Sequence, residues 1–496
     1  MGLIIALGVG LTVSPAEAQG YRVRLESRVQ TVGFRGVELD SIPVGSAVVG
    51  PSGGSYSPDG FAVRCGAGSA FCFFFRPGAE QRAAPTVTSA DITLWGLGLT
   101  GLSFHGSARA GFDLGSADVW PGTDPSLQLL EAYAEYNTEW LVGRLGRQVY
   151  TSRLGFSGFD GARITVRDIK RGFDAVGYLG QGLARGIALP VTSSALNPLD
   201  DFQPHGRQII AGAALGYTGG FADVRLDYQR EVDPRSDYFV SERAALATEL
   251  RLEPRLALIG GAEYDLAQGL WGSSDITLRY VAPNFALTGG FQRYRPHFEL
   301  WTIWGAFSPV AYQAVTSSVS FSGLPHLQLR ARGTRFSYEK TETETPLVSV
   351  EDRGWRIALG ATWTPIPRLS IELGHEAEFA PGGSYVSYDG AVSFAPREQL
   401  LLTVHGGRLV RPLEFRFDEA TLNQAGVETA WRPSERWQFD ASVVRYMENR
   451  KRPDAAAFDW NQTRLSARVS FLFGSGEGVL RLPRGRRPPV SGSHTP

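Results

Sequence analysis

Alternation at period two, with charge on the second face, constrains this chain more than any other feature. In YRVRLESRVQT an extended backbone puts Tyr21, Val23, Leu25 and Val29 on one face and Arg22, Arg24, Glu26, Arg28 and Gln30 on the other. No soluble core accepts the second face, whereas a strand standing between lipid and water sorts its side chains in this way. The pattern runs to the end of the chain. Val224, Leu226 and Tyr228 oppose Asp223, Arg225, Asp227 and Gln229, and Ile276, Leu278 and Tyr280 oppose Asp275, Thr277 and Arg279. Trp355, Ile357, Leu359 and Trp363 oppose Arg356 and Thr362, and Leu465, Ala467, Val469, Phe471 and Phe473 oppose Arg464, Ser466, Arg468 and Ser470. The fold class this predicts is all-β, a transmembrane antiparallel β-barrel.

The connections fix the strand number, because barrels of this class alternate short periplasmic turns with longer outer loops. Tight turns fall at 96–101, 137–139, 168–172, 218–220, 253–255, 282–284, 322–326, 364–368, 395–399 and 432–436. Longer connections separate them. Counting FELWTIWGAF (298–307) as a strand gives 23 and puts the 339–353 loop on the periplasmic side, so 296–313 is assigned to an outer loop. The count becomes about 22, with both ends periplasmic. Trp363, Trp431 and Trp437 lie on apolar faces beside the short turns, and Trp140 follows another, as expected of an interfacial belt.

No stretch approaches the 18 or so apolar residues of a spanning helix, the longest run being Leu3–Val13. That run, followed by Ala16-Glu17-Ala18, predicts a signal peptide over 1–18 cleaved before Gln19, although no Lys or Arg precedes it. The barrel is expected over 19–473 and a basic, solvated periplasmic tail over 474–496. The 49 Lys and Arg nearly balance the 50 Asp and Glu, which gives no reason to expect nucleic acid or another polyanion. Cys65 and Cys72, in CGAGSAFC, suit a local disulfide in an oxidising compartment; neither CxxC nor CxxCH occurs, and no metal or cofactor is expected. GLGLTG at 96–101 matches GxGxxG but precedes an alternating strand rather than a helix, and is assigned to a turn.

Within GRLGRQVYTSRLGFSGFDGARITVR (143–167), the strand Arg144, Gly146, Arg147, Gln148 and, across a loop, Phe159, Asp160, Gly161, Ala162, Arg163 resemble the alginate-export and porin-like barrel family. The resemblance covers about two strands. It implies an outer-membrane exit route for an anionic or neutral substrate. LSARVSFLF at 465–473 has the terminal-aromatic form of an insertion signal, which implies the barrel assembly machinery as a partner, with outer-membrane lipid around the wall.

With faces assigned, the expected pore-lining residues are Arg109, Glu131, Glu135, Arg163, Arg167, Arg251, Glu263, Arg330, Arg332, Arg356, Glu372, Glu376, Arg464 and Arg468. Glu249, Glu378 and Glu428 should join them. Such rows orient solutes and select by charge, and they equally satisfy a wet wall by pairing. At the seam of first and last strands, Arg22, Arg24 and Arg28 meet Arg464 and Arg468 with Glu26 alone of opposite sign, which predicts weak anion preference.

Twenty-two strands enclose more space than side chains fill. A TonB-dependent transporter carries a plug ahead of its first strand, for which the interval before Tyr21 leaves no room, so no N-terminal plug domain is expected. Narrowing then falls to loops 35–86 (with FCFFF), 182–206 and 296–313, and Phe73, Phe74 and Phe75 are expected to pack in the barrel mouth. Two functions follow. One is a porin-like channel passing small hydrophilic or anionic solutes, or exporting a polymer. The other is a scaffold around a periplasmic or lumenal partner such as a multihaem cytochrome. An enzyme is not expected, since inward His105 and His405 lack a nucleophile partner.

Overall fold

The computed structural model describes residues 18–50, 53–66, 68–115, 126–183, 208–232, 234, 239–295, 311–338, 353–380, 383–410, 420–450 and 461–475. The signal segment before Ala18, the tail beyond Ser475, and most of the expected loops 182–206 and 296–313 lie outside them.

The strands are β1 (Ala18–Gln30), β2 (Val32–Pro43), β3 (Val48–Val49), β4 (Ser55–Tyr56), β5 (Arg64–Cys65), β6 (Phe71–Ala83), β7 (Pro85–Leu97), β8 (Leu102–Asp113) and β9 (Leu127–Asn137). Then come β10 (Leu141–Ser152), β11 (Gly155–Asp168), β12 (Phe173–Gly182), β13 (Ile209–Thr218), β14 (Ala222–Val232), β15 (Phe239–Glu253), β16 (Leu256–Asp265), β17 (Leu270–Val281) and β18 (Phe285–Tyr294). The remainder are β19 (Tyr312–Leu324), β20 (Leu327–Tyr338), β21 (Arg353–Ile366), β22 (Leu369–Ala380), β23 (Gly383–Arg397), β24 (Leu400–Val410), β25 (Ala420–Ser434), β26 (Trp437–Arg450) and β27 (Gln462–Ser475).

β1 and β7–β27 form one 22-stranded antiparallel sheet in which sequence neighbours pair. It closes where β1 meets β27, from Tyr21↔Ser475 to Gln30↔Ser466. Strands about 4.8 Å apart and tilted about 40° make the backbone cylinder about 44 Å across. One face of the barrel wall carries exposed apolar side chains, among them Leu145, Leu215, Leu226, Ile276, Leu278, Val315, Leu373 and Val404. The other carries the charged rows. Tyr150 of β10 reaches Asp227 of β14 across intervening barrel strands on the charged face, which is therefore concave and inward. A closed barrel satisfies every ladder group internally and its apolar belt needs hydrocarbon around it, so this is a bacterial outer-membrane protein. Trp140, Trp363, Trp431 and Trp437 stand exposed beside the short turns, with the Trp437 ring 4.2 Å from that of Phe471 in a tilted contact.

Segment 35–86 is not the pore-narrowing loop expected from sequence. β2 and β6 continue the β1–β7 hairpin beyond the barrel, from Val32↔Ala83 to Pro43↔Phe71 with one irregularity between Arg35 and Val37. Cys65 and Cys72 are register partners on β5 and β6 and form a disulfide. Phe74 is buried against Phe61 at 5.6 Å within this protrusion, while Phe73 and Phe75 are exposed, so none of the three fills the barrel mouth. The first strand also begins at Ala18 rather than Tyr21.

Leu278 faces lipid and its neighbour Thr277 faces the lumen. Leu278→Arg should cost about 2–4 kcal/mol of barrel stability by chemical unfolding in detergent or lipid, and Thr277→Arg about 1 kcal/mol or less.

Candidate functional site in the barrel lumen

β10 and β11 pair along their whole length, from Leu141↔Val166 to Ser152↔Gly155. Their outer neighbours let go sooner. β10 stays on β9 only as far as Arg147↔Ala132, and β11 stays on β12 through Phe159↔Gly182, with the Leu183 N–H donating to the Gly158 carbonyl at 2.9 Å. Beyond those points the hairpin turns inward and lies over the inner faces of β12–β17.

Glycines make the turn possible. Gly146 has φ of 126°, and a Cβ there would stand 2.3 Å from the Ala132 carbonyl oxygen. Its register partner Gly161 approaches β12 so closely that a Cβ would meet the Leu179 oxygen at 2.2 Å. The face folded under is apolar: Tyr150, Phe159, Val176, Tyr178, Ile210 and Ala214 form a buried cluster inside the barrel. Tyr178 packs against Tyr150 at 4.7 Å and Phe159 at 5.4 Å.

Polar bonds pin the tip across the lumen. The Tyr150 hydroxyl donates to Asp227 Oδ1 at 2.7 Å and accepts from Arg225 Nη2 at 2.5 Å. Ser157 Oγ and the Tyr178 hydroxyl both donate to Gln229 Oε1, at 2.9 and 3.2 Å. Arg243 Nη1 of β15 donates to the Leu154 carbonyl at 3.1 Å. Arg153, at the tip, pairs with Asp275 of β17 and sits 3.7 Å from Glu263 of β16. Asp227 is almost fully buried, which charge tolerates only because Arg225 lies 3.2 Å away and the tyrosine caps it.

This geometry accounts for the residues that carry the family resemblance. Arg144 pairs inward with Glu135 at 2.5 Å. Arg147 holds Asp160 through two bonds, at 2.7 and 2.9 Å. Gln148, fully buried, donates to the Gly161 carbonyl at 3.0 Å, Phe159 enters the cluster, and Arg163 lies opposite Arg144.

The other expected lining residues divide by partner. On the hairpin side, Arg109 Nε donates to Gln128 at 2.6 Å, Glu131 meets His105 at 3.1 Å, and Arg167 donates to Asn137 at 3.2 Å. Arg251 pairs with Asp223 and donates to the Gly219 carbonyl at 2.7 Å, while Glu263 accepts from Ser273 at 2.6 Å. On the far wall, Arg356 pairs with Glu378 and lies 3.6 Å from Glu376, which accepts from Tyr385. Glu372 stands in register with Thr362, and Arg330 donates to Thr362 at 3.2 Å. Arg332 forms no ion pair among the described residues; it is in register with Ser318 and Ala358. His405 lies 3.5 Å from Glu428. At the seam Arg28 stands opposite Arg468, but Arg468 is neutralised by Asp440 of β26 at 2.9 Å, and Asp91 of β7 stands opposite Arg24. Arg464 lies over the Tyr446 ring at 5.1 Å and donates to Gln462. The seam is thus less basic than its two strands alone suggest.

Tyr150, Arg153, Ser157, Arg225, Asp227 and Gln229 were not singled out from sequence as site residues. Two signals were available. β13, IIAGAALGYT, is apolar on both faces, so something other than water covers its inner side. Arg144 and Arg147 fall on opposite faces of one strand, so that strand cannot stay in a lipid-facing wall throughout.

No protein-family model matches the chain, and no curated protein matches it by sequence. Among solved structures it is similar to the siderophore receptor PirA of Pseudomonas aeruginosa, at 14% identity over 91% of this chain and 80% of that one, with TM-score 0.46. It is also similar to the P. aeruginosa protein OccK5 (OpdH), at 10% identity over 92% and 98% with TM-score 0.39. A third likeness is to a BenF-like porin from Pseudomonas fluorescens Pf-5, at 8% identity over 92% and 99% with TM-score 0.38. With TM-scores below 0.5, these likenesses add nothing to what the closed barrel and its apolar belt establish.

Arg153 is a tryptic site held by two carboxylates. The double variant Asp275→Asn, Glu263→Gln should free the tip and bring cleavage after Arg153 in folded, reconstituted protein, whereas the parent stays intact there on a gel.

Proposed function

We propose that the protein is a porin-like channel for small hydrophilic solutes whose aperture is set by the β10–β11 hairpin. The supporting observation is the locked tip: an element folded across the inner wall and fastened to β14, β15, β16 and β17 narrows a cylinder that its own side chains would leave wide. A layer packed on a sheet takes up about 10 Å. The same occupancy argues against a sheath around a multihaem cytochrome, because a folded partner would need the space the hairpin takes. Polymer export, which the resemblance at 143–167 implies, is the narrower form of this reading, and a fixed aperture lined by paired charge suits an extended chain as well as a small solute.

Replacing Tyr150–Ser157 with an Asn-Gly turn should raise single-channel conductance in planar bilayers about twofold or more. Unchanged conductance would overturn the aperture role. We also expect the open channel to prefer anions weakly, through Arg28 and Arg332, which form no ion pair among the described residues. The variant Arg28→Glu, Arg332→Glu should move the reversal potential in a salt gradient toward cation selectivity, and a parent channel that already prefers cations would refute this.

A further inference from the structure

Among the described residues, the ladder of the wall is shortest where the hairpin leaves it. β9 and β10 share six register pairs, from Val142↔Asn137 to Arg147↔Ala132, while every other neighbouring pair of barrel strands shares eight or more. The short turn at Thr138 and the exposed Trp140 beside it mark the lipid boundary. Six residues rising about 3.3 Å each at about 40° tilt lift the ladder about 15 Å above that mark, and the apolar belt is about 25 Å tall. The ladder ends inside the belt. β9 continues upward through residues 127–131 with no strand on that side among the described residues, and Arg147 Nη1 takes the Leu129 carbonyl at 2.9 Å in place of a backbone donor.

A second observation points the same way. Arg147 and Asp160 occupy outward positions, in step with Leu145 and Ala162, at the level where the ladder stops. On a closed wall this ion pair would stand in hydrocarbon, where charge is expensive. The pair lies just beyond the Gly146 turn at which the hairpin leaves the wall, where the end of the β9 ladder gives it a route to water. The rim is apolar: Leu127 and Leu129 on β9 are both exposed.

We propose that the gap between β9 and β10 is a lateral opening that admits the acyl chain of an amphiphile between the lumen and the outer leaflet. The chain slides past Leu127 and Leu129, and the polar head stays on the lumen side beside the Arg144–Glu135 pair. This goes beyond conduction of hydrophilic solutes and does not depend on it.

Gln128 faces inward beside the gap, Thr316 faces inward on the far wall, and Leu278 faces lipid. Gln128→Cys, Thr316→Cys and Leu278→Cys, each labelled with bimane while the native disulfide stays oxidised, are reconstituted in phosphatidylglycerol vesicles with brominated acyl chains. The expected result is quenching at position 128 comparable to that at 278, with 316 as bright as in bromine-free vesicles. Equal behaviour at 128 and 316 would overturn the proposal. Should Gln128→Cys fail to insert because it loses its bond to Arg109, Glu131→Cys, inward and next to the end of the ladder, reports the same comparison.

Discussion

Inside a bilayer there is no water to satisfy a peptide group, and everything in this architecture descends from that. Each N–H and C=O at membrane depth must meet a neighbouring strand, so the sheet has to close on itself, and closure forces side chains to alternate between lipid and lumen. The apolar rows and the arginine-rich rows are two results of one constraint. The places where a strand leaves its neighbour are informative for the same reason, since the freed backbone must then find protein or water. β10 does so by folding onto the inner wall, and Arg147 caps part of the edge it abandons.

The inward hairpin converts a section of wet wall into something closer to a soluble core. β12 and β13 present Val176, Tyr178, Ile210 and Ala214 to the lumen instead of charge, with Tyr178 lying so flat over Gly212 that a Cβ there would stand 2.2 Å from its hydroxyl. Around this dry patch runs a polar border of Asp227, Arg225, Gln229 and Arg243, each bonded to the hairpin or to a residue that is. Apolar packing sets how close the layer lies, and the polar border sets where along the wall it stops. One without the other would give either a loose flap or a slipping one.

Much of this was legible in the sequence, for a physical reason. Strand count and facing are local: the alternation in YRVRLESRVQT or in LSARVSFLF needs no knowledge of distant residues, and the alternation of short and long connections brings the count to 22, as the sheet has it. The hairpin contacts are not local, because Tyr150 finds Asp227 and Arg153 finds Asp275 only after the barrel curves. Outside the membrane the sorting rule lapses. FCFFF on β6 faces water on one side and Phe61 on the other, with no lipid to order it, so the protrusion reads as a loop.

The seam has a consequence for how the molecule comes together. Every ladder except one joins strands adjacent in the chain, the first pair being spaced by its protrusion, so contact order is low nearly everywhere and hairpins can accrete one after another. The pairing of Tyr21 with Ser475 is the exception, since it requires the two ends of the barrel-forming chain to meet. Loop-closure entropy rises only slowly with length, so the difficulty of that last step lies less in its thermodynamics than in its timing. Until it happens the molecule is an open sheet with two unpaired edges, competent to pair with any other strand it meets.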